Sequence, residues 1–248
     1  MDRRRLPMGW SRPPSSKKVI LSLCDFTGQW PRPYIEAQKE MNGQLVDIYH
    51  VFLIDIKPRQ KPDYLPDHLW IDENDHDNVT SITADVRDIE GWLDTMSSEW
   101  TPHAVLCALP CTDFASSGAR WFKQKDEAGV TDKSVDLLRA CIRIAERSKT
   151  WWALENPVGR LPQWIGKPKM YFQPCDYGDA YTKKTALWGD FNTDLPKKPV
   201  KPIYYKTKDG KKRGSHHWYT MGGKSQKTKT LRSITPTGFS SSFFKANP

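Results

Sequence analysis

The sequence predicts an α/β protein in which a mostly parallel sheet carries helices on both faces. Three stretches carry that expectation. Ala104 to Leu109 is a nearly unbroken apolar run of strand length, and Pro110 stops it because proline cannot donate to a sheet ladder. Trp151 to Leu154 repeats the pattern, with Pro157 as the stop. Between them, in Thr131–Lys149, Val135, Leu138, Cys141, Ile142 and Ala145 recur at helical spacing on one face. A helix therefore crosses over, and the strands it joins run parallel.

The chain begins with Met1–Lys18, which has three consecutive arginines and a Pro-Pro-Ser-Ser stretch. Its apolar content is too low to pack, so a flexible basic arm is expected, with arginines available to phosphate. Val19–Cys24 reads as the first strand and ends in the loop Asp25-Phe26-Thr27-Gly28-Gln29-Trp30. Gly28 lets backbone approach a ligand closely, and Pro31 or Pro33 opens a helix whose first N–H groups attract a carboxylate. Val51–Ile56 is the second strand. Asp55 stands near its end, roughly twenty or more residues beyond the glycine turn, where an acid takes ribose hydroxyls.

Lys57–Asn78 is rich in Pro, Asp and Asn and reads as a loop without clear chemistry. Ser81–Val86 leads to Asp85, either a ligand contact or an ordinary surface aspartate. Ile89, Trp92, Leu93 and Met96 make a short amphipathic helix before the Ala104–Leu109 strand.

Cys111 follows that strand at its carboxyl end, where open α/β sheets place their ligands, and Ser116, Ser117 and Gly118 come after it. It is either a nucleophile or a small packed hydrophobe. The next strand delivers Glu155 and Asn156 to the same sheet edge. Glu155 is either an acid for catalysis or a cap or salt-bridge carboxylate. Trp164–Pro174 reads as a loop and Tyr181–Gly189 as a short strand. From Lys197 to Arg232 there are twelve Lys and Arg against one acid, Asp209, interleaved with Tyr204, Tyr205, His216, His217, Trp218 and Tyr219. Such a mixture neutralises phosphates and stacks on bases, whereas a solvated linker would not need the aromatics.

The 248 residues have room for one full α/β domain with a small appendage, and the net charge of +9 suits a polyanionic partner. Five cysteines without a CxxC pair indicate neither a disulfide framework nor a four-ligand zinc site. His216-His217 lacks nearby carboxylates or cysteines, so no metal is expected. The amino terminus lacks the apolar core of a signal peptide, and no apolar run has membrane length. An intracellular, cytoplasmic protein without membrane contact is expected.

Pro110-Cys111 followed by Phe114 and Gly118, a crossover helix, and then Glu155-Asn156 after the next strand resembles the cysteine and ENV motifs of DNA cytosine-5 methyltransferases, particularly the compact phage or prophage members. Leu21–Pro33 resembles the cofactor loop of that family. Tyr181–Gly189 lies where it has a basic motif, and Arg232–Asn247 resembles its closing motif. The resemblance covers most of the chain apart from the arm and a basic insert near Asn192–Thr230.

It implies a Rossmann-like methyltransferase domain over 19–191 with a late antiparallel strand, a small DNA-recognition region over 192–231, and a segment over 232–248 that packs back on the domain. It further implies transfer of a methyl group from S-adenosylmethionine, leaving S-adenosylhomocysteine, to C5 of a cytosine flipped out of double-stranded DNA by a monomeric enzyme in a bacterial host cell.

The implied catalytic residues are Cys111, Glu155, Asn156, Arg160 and Lys183. Asp25, Phe26, Thr27, Gly28, Trp30, Asp55, Ile56, Asp85, Val86 and Pro110 are implied at the cofactor, with Asp85 accepting from the adenine amino group. Ser116, Ser117, Lys211, Lys212, Arg213 and Trp218 are placed at DNA. The chain departs from the family at Trp30, usually glycine, and at Thr112 and Ala115, usually glutamine and serine. Tyr181, Lys183 and Thr185 stand where the family has a glutamine and two arginines, so a guanidinium on cytosine O2 has to come from elsewhere.

Two enzymatic alternatives keep the fold. One transfers a modified one-carbon or carboxymethyl group, and the other acts on RNA. A non-enzymatic alternative is a DNA-binding protein on a decayed scaffold. An amino-methyltransferase would need a DPPY-like turn where this chain has LPCT.

Overall fold

The computed structural model describes residues 16–95, 101–206, 210, 212–215 and 225–248. Apolar runs of five to seven residues form β1 (Lys18–Leu23), β4 (Tyr49–Asp55), β6 (Ala104–Ala108) and β7 (Trp151–Pro157), and their near-continuous burial is that of strands covered on both faces. With β5 (Val79–Thr83), β8 (Met170–Phe172) and β9 (Thr185–Asp190) they make one seven-stranded sheet in the order β5-β4-β1-β6-β7-β9-β8. Strands β5 to β7 in that order are parallel; β9 is antiparallel to both β7 and β8. The strand order reverses between β1 and β6, which opens a crevice at their carboxyl ends.

One face is covered by α2 (Val86–Thr95) and α4 (Val130–Ala145), whose Ile89, Trp92, Val135, Leu138, Cys141 and Ile144 pack on Leu21, Phe52, Val105 and Leu154. The periodicity of Thr131–Lys149 is thus realised, with the helix four residues shorter at its end. The other face takes α1 (Arg32–Ile35) and the carboxyl-terminal helix Thr237–Ala246. Phe239 stacks on Phe172 with centroids 3.7 Å apart, and Phe243 meets Trp30, Trp151 and Phe191 edge-on or tilted. The Tyr34 hydroxyl donates to the Asn247 carbonyl at 2.7 Å, closing the chain end over β1's neighbour.

Several local expectations are corrected. The helix after the first loop has only four residues, too few for an N-terminal anion site. Trp164–Pro174 is not a plain loop: α5 (Pro162–Ile165) enters it and β8 adds a three-residue edge strand, too short to show periodicity. The Tyr181–Gly189 strand begins at Thr185, where pairing with Pro157 starts. A hairpin of β2 (Gln38–Met41) and β3 (Gln44–Asp47) turns through Asn42 and Gly43, both at positive φ. That Asn-Gly pair was the available signal for it.

In the basic region, β10 (Tyr204–Lys206) pairs with β11 (Lys212–Ser215), and α6 (Gln226–Ser233) crosses the boundary expected at 231. The closing helix Thr237–Ala246 is α7. The arm expected over 1–18 lies outside the described residues except at its end, where Lys17 pairs with Asp47 at 3.0 Å and Lys18 opens β1.

His50 is an acid-sensitive group away from the crevice. His50 on β4 is buried, its Nε2 2.9 Å from Thr80 Oγ1. Burial, and then Lys17, lower its pKa from 6.5 to about 4, against Asp47. A depressed histidine contributes stability that is present above its unfolded value and lost as pH falls through the folded one. Thermal unfolding between about pH 7 and pH 4 should show stability falling with acid, and His50→Gln should flatten that part of the curve.

Candidate active site

Pro110, in extended conformation, turns the chain out of β6 into a single 3-10 turn, Cys111–Asp113. The Cys111 carbonyl accepts from the N–H groups of Phe114 and Ala115 at 3.1 and 2.9 Å. Phe114 is buried edge-on against Trp164 and anchors the loop. The loop then lies on the segment after β7. Ser116 N–H donates to the Val158 carbonyl at 3.0 Å, Arg160 N–H to the Phe114 carbonyl at 2.9 Å, and Ala115 bridges Gly159. Asn156, fully buried, donates from Nδ2 to the Leu109 carbonyl at 2.8 Å and so holds the end of β6 from which the thiol is presented.

Glu155 is in register with Ala108 on one side and Leu187 on the other. The residue is 5% exposed, and among the described residues Oε1 has no hydrogen-bond partner. Burial raises its pKa against the pull of Lys183, and Asp25 across the crevice raises it further. The Cys111 thiol is likewise raised, first by burial; Lys183 lowers it, Glu155 raises it and Arg232 lowers it. Cys111, Glu155 and Lys183, distant in sequence, therefore share one electrostatic environment. Lys183 reaches it from the segment before β9, with Nζ donating to the Arg232 carbonyl at 3.1 Å.

Arg160 is not part of that environment. Its guanidinium donates to the Asp113 carbonyl, to Asp126 and to Thr131 Oγ1, and lies over the Phe122 ring at 3.8 Å. It clamps the cysteine loop to α3 (Phe122–Glu127) and α4, so the expected charge compensation beside Glu155 is corrected to a structural role. Thr185 is buried with its hydroxyl on the Lys183 carbonyl.

On the β1 side, Asp25 is buried and its carboxylate accepts from Ser22 Oγ at 3.1 Å and from Gly28 N–H at 2.8 Å, folding the loop on itself. Burial raises its pKa against these bonds. Thr27 is buried, its carbonyl accepting from Ile71 N–H. Gly28 has φ +72, and a Cβ there would meet Ile71 and Leu53 at 3.0 and 3.1 Å. Its glycine is needed for that backbone and for packing, rather than for a ligand's approach. Phe26 rests edge-on against Trp70.

Trp30 is wholly buried among Phe239 and Phe243, so its ring is a core element and not a wall of the crevice. Asp55 at the end of β4 uses Oδ1 for Lys57 N–H at 2.9 Å, while Oδ2 has no partner among the described residues; burial raises its pKa. Ile56 is exposed beside it and Pro110 is exposed across the crevice. Asp85 is a helix-start carboxylate engaged by the Arg87 backbone and guanidinium, which hold its pKa low. Val86 is buried in the core. The adenine contact expected at Asp85 and Val86 is therefore not open.

Ser116 and Ser117 are exposed on the cysteine loop, though Ser116 Oγ donates to the Val158 carbonyl. Lys211 and Trp218 lie outside the described residues, as do the side chains of Lys212 and Arg213 and the pair His216-His217. Among the described residues no cluster of His, Cys, Asp or Glu is placed to hold a metal ion, and no helix is long and apolar enough to cross a membrane.

Sequence reasoning missed Arg232, Gly159 and the organised excursion after β4. In that excursion Arg59 lies over Trp70 at 4.4 Å and donates to the carbonyls of Phe26 and Ile71. The Trp70-Ile71 pair inside an otherwise polar stretch was the signal for it. No family model and no curated protein matches the chain.

Proposed function

We propose that the protein is a DNA cytosine-5 methyltransferase of Rossmann-like methyltransferase fold, acting on a cytosine flipped from the duplex. The observation that supports this most is the pairing of Cys111, at the end of β6, with a buried carboxyl at Glu155 on the adjacent parallel strand. Burial favours the protonated acid, which is the form this chemistry needs. Cytosine C5 is a poor nucleophile until something adds to C6. The Cys111 thiolate forms the S–C6 bond, and Glu155 shares its proton with N3 as charge develops there, leaving C5 enamine-like. Asn156 holds the strand end that presents the thiol, and Lys183 offsets negative charge at both reacting groups.

The crevice beside β1 and β4 fits S-adenosylmethionine in part. Asp55, with a carboxylate oxygen unengaged, would hold ribose hydroxyls, and the loop Asp25–Gly28 would border the remainder. When bound, that group supplies an electrophilic methyl. The net charge of +9 and the basic Lys197–Arg232 stretch support a polyanionic substrate.

The burial of Trp30 and the Arg87 pairing of Asp85 favour a second reading, a DNA-binding protein on a scaffold that has lost its cofactor. Calorimetry with S-adenosylmethionine separates the two. Expression followed by mass spectrometry of nucleosides from host DNA should reveal 5-methylcytosine. A folded, cofactor-binding protein that leaves every cytosine unmodified would overturn the proposal, and a carboxymethyl or other C5 adduct would redirect it to a modified donor.

A further inference from the structure

Three segments meet beside the cysteine loop. Ser116 N–H and Oγ both donate to the Val158 carbonyl, Ala115 bridges Gly159, and Val158 N–H donates to the Lys184 carbonyl at 3.2 Å. Across 114–125, 156–175 and 180–189 there are eight Lys and Arg and no Asp or Glu. Acids from outside these stretches engage some of the eight: Asp113 holds Lys125, Asp126 holds Arg160, and Asp190 holds Lys169. Lys183 donates to the Arg232 carbonyl.

Arg120 and Lys184 are different. Both are exposed, and neither side chain makes a hydrogen bond or ion pair among the described residues. Each instead lies over an exposed ring: Lys184 Nζ is 4.8 Å from the Tyr171 centroid, and the Arg120 guanidinium is 5.3 Å from that of Trp121. Tyr171 is 51% exposed because Met170 and Phe172 on either side of it pack into the core, so the pleat of β8 turns its ring outward. Tyr171 is in register with Ala186, and Ala186 with Asn156, which puts the Tyr171 backbone two strands, about 10 Å, from that of Asn156.

We propose that this acid-free rim is a phosphate-binding surface for the duplex DNA that flanks the flipped cytosine, with Lys184 on Tyr171 and Arg120 on Trp121 as its two set cations. The proposal rests on the reading that the protein acts on duplex DNA. Seating a long cation on a ring limits its freedom before the partner arrives, while its N–H groups stay available to phosphate oxygens. The Ser116–Val158 and Val158–Lys184 contacts join the two pairs into one surface that includes the cysteine loop, so a backbone lying on it passes the thiol.

Anisotropy of a labelled mixed-sequence duplex, titrated over a range of salt, reads this without knowledge of the target sequence and without turnover. Lys184→Gln and Arg120→Gln should each make the salt slope of binding shallower by about 0.9, the value of one phosphate contact. Tyr171→Ala should keep the slope and weaken binding about two- to fivefold, because Lys184 loses its seat but not its charge, and Tyr171→Phe should bind as the native protein does. Lys149→Gln removes the same charge from an exposed position before the opposite end of β7 and should leave the slope native. Being exposed, all these positions should tolerate substitution with little change in melting temperature.

Native slopes in both Lys184→Gln and Arg120→Gln, or an equal loss in Lys149→Gln, would overturn the proposal, as would tighter binding to an RNA duplex of the same sequence. A native protein that binds no duplex at all would remove the underlying DNA reading together with the rim. A protein that binds through the rim and leaves cytosine unmodified would keep the rim and lose the enzyme.

Discussion

DNA carrying 5-fluorocytosine should trap the native protein in a methylated complex that survives denaturation, and Cys111→Ser should abolish it. In the ordinary reaction the adduct collapses when the C5 proton leaves and the S–C6 bond breaks. Fluorine cannot leave as a cation, so the bond persists. Cys107 supplies the control, since it is wholly buried in β6 and its thiol points to the Cys141 carbonyl at 3.9 Å. Cys107→Ala should leave trapping intact.

Glu155→Gln should slow trapping by about 10²–10⁴-fold, the usual range for a lost general acid, without removing the nucleophile. The two groups also set the pH dependence. Trapping needs an ionised thiol and a protonated carboxyl, and burial raises both. The rate should follow a bell, rising on the acid side, level between the two ionisations and falling on the alkaline side. The descending limb should be absent from the Glu155→Gln protein. A Cys111→Ser protein that methylates cytosine at the native rate would falsify the mechanism while leaving the fold untouched.

Gly159→Ala should be a severely damaging small change beside the cysteine loop. A Cβ at Gly159 would lie 1.9 Å from the Phe114 carbonyl oxygen and 2.8 Å from Ala115 Cα, so the clash is with backbone and no side chain can yield. The two segments would have to separate, costing about 3 kcal/mol, the upper end of ordinary overpacking. Separation breaks the Ala115 bridge and the Arg160-to-Phe114 hydrogen bond that seat the cysteine loop. Trapping should be lost, with a lowered melting temperature and an otherwise native circular dichroism spectrum. Gly43→Ala is the comparison: a Cβ there meets nothing within 4 Å, so only its positive φ resists and trapping should be native.

Local rules were enough for the elements that present the site. Apolar runs ended by Pro110 and Pro157, joined by a helix of clear period, specify β6, α4 and β7, and parallel connection alone puts Cys111 and Glu155 at one edge. These features depend on neighbours within a few residues and on a general rule of handedness. Side-chain direction and long-range packing are a different matter. Trp30 was a loop residue by position, yet the carboxyl-terminal helix draws it into the core because Phe239 and Phe243 offer a large apolar surface there.

Arg160 stands five residues beyond Glu155, but Asp126 and the Phe122 ring turn it away from the carboxyl. Asp85 is taken up by Arg87, the cheapest partner for a carboxylate beside a helix start. Conversely, Lys183 meets the Arg232 carbonyl because the segment around α6 packs Leu231 and Ile234 against Leu65 and Trp70. The sequence by itself determined the strand ends and the placing of Cys111 and Glu155 at one sheet edge, since backbone pattern is local. Only the tertiary structure decided which cations and acids face them, since charge partners are chosen by packing between segments far apart in the chain.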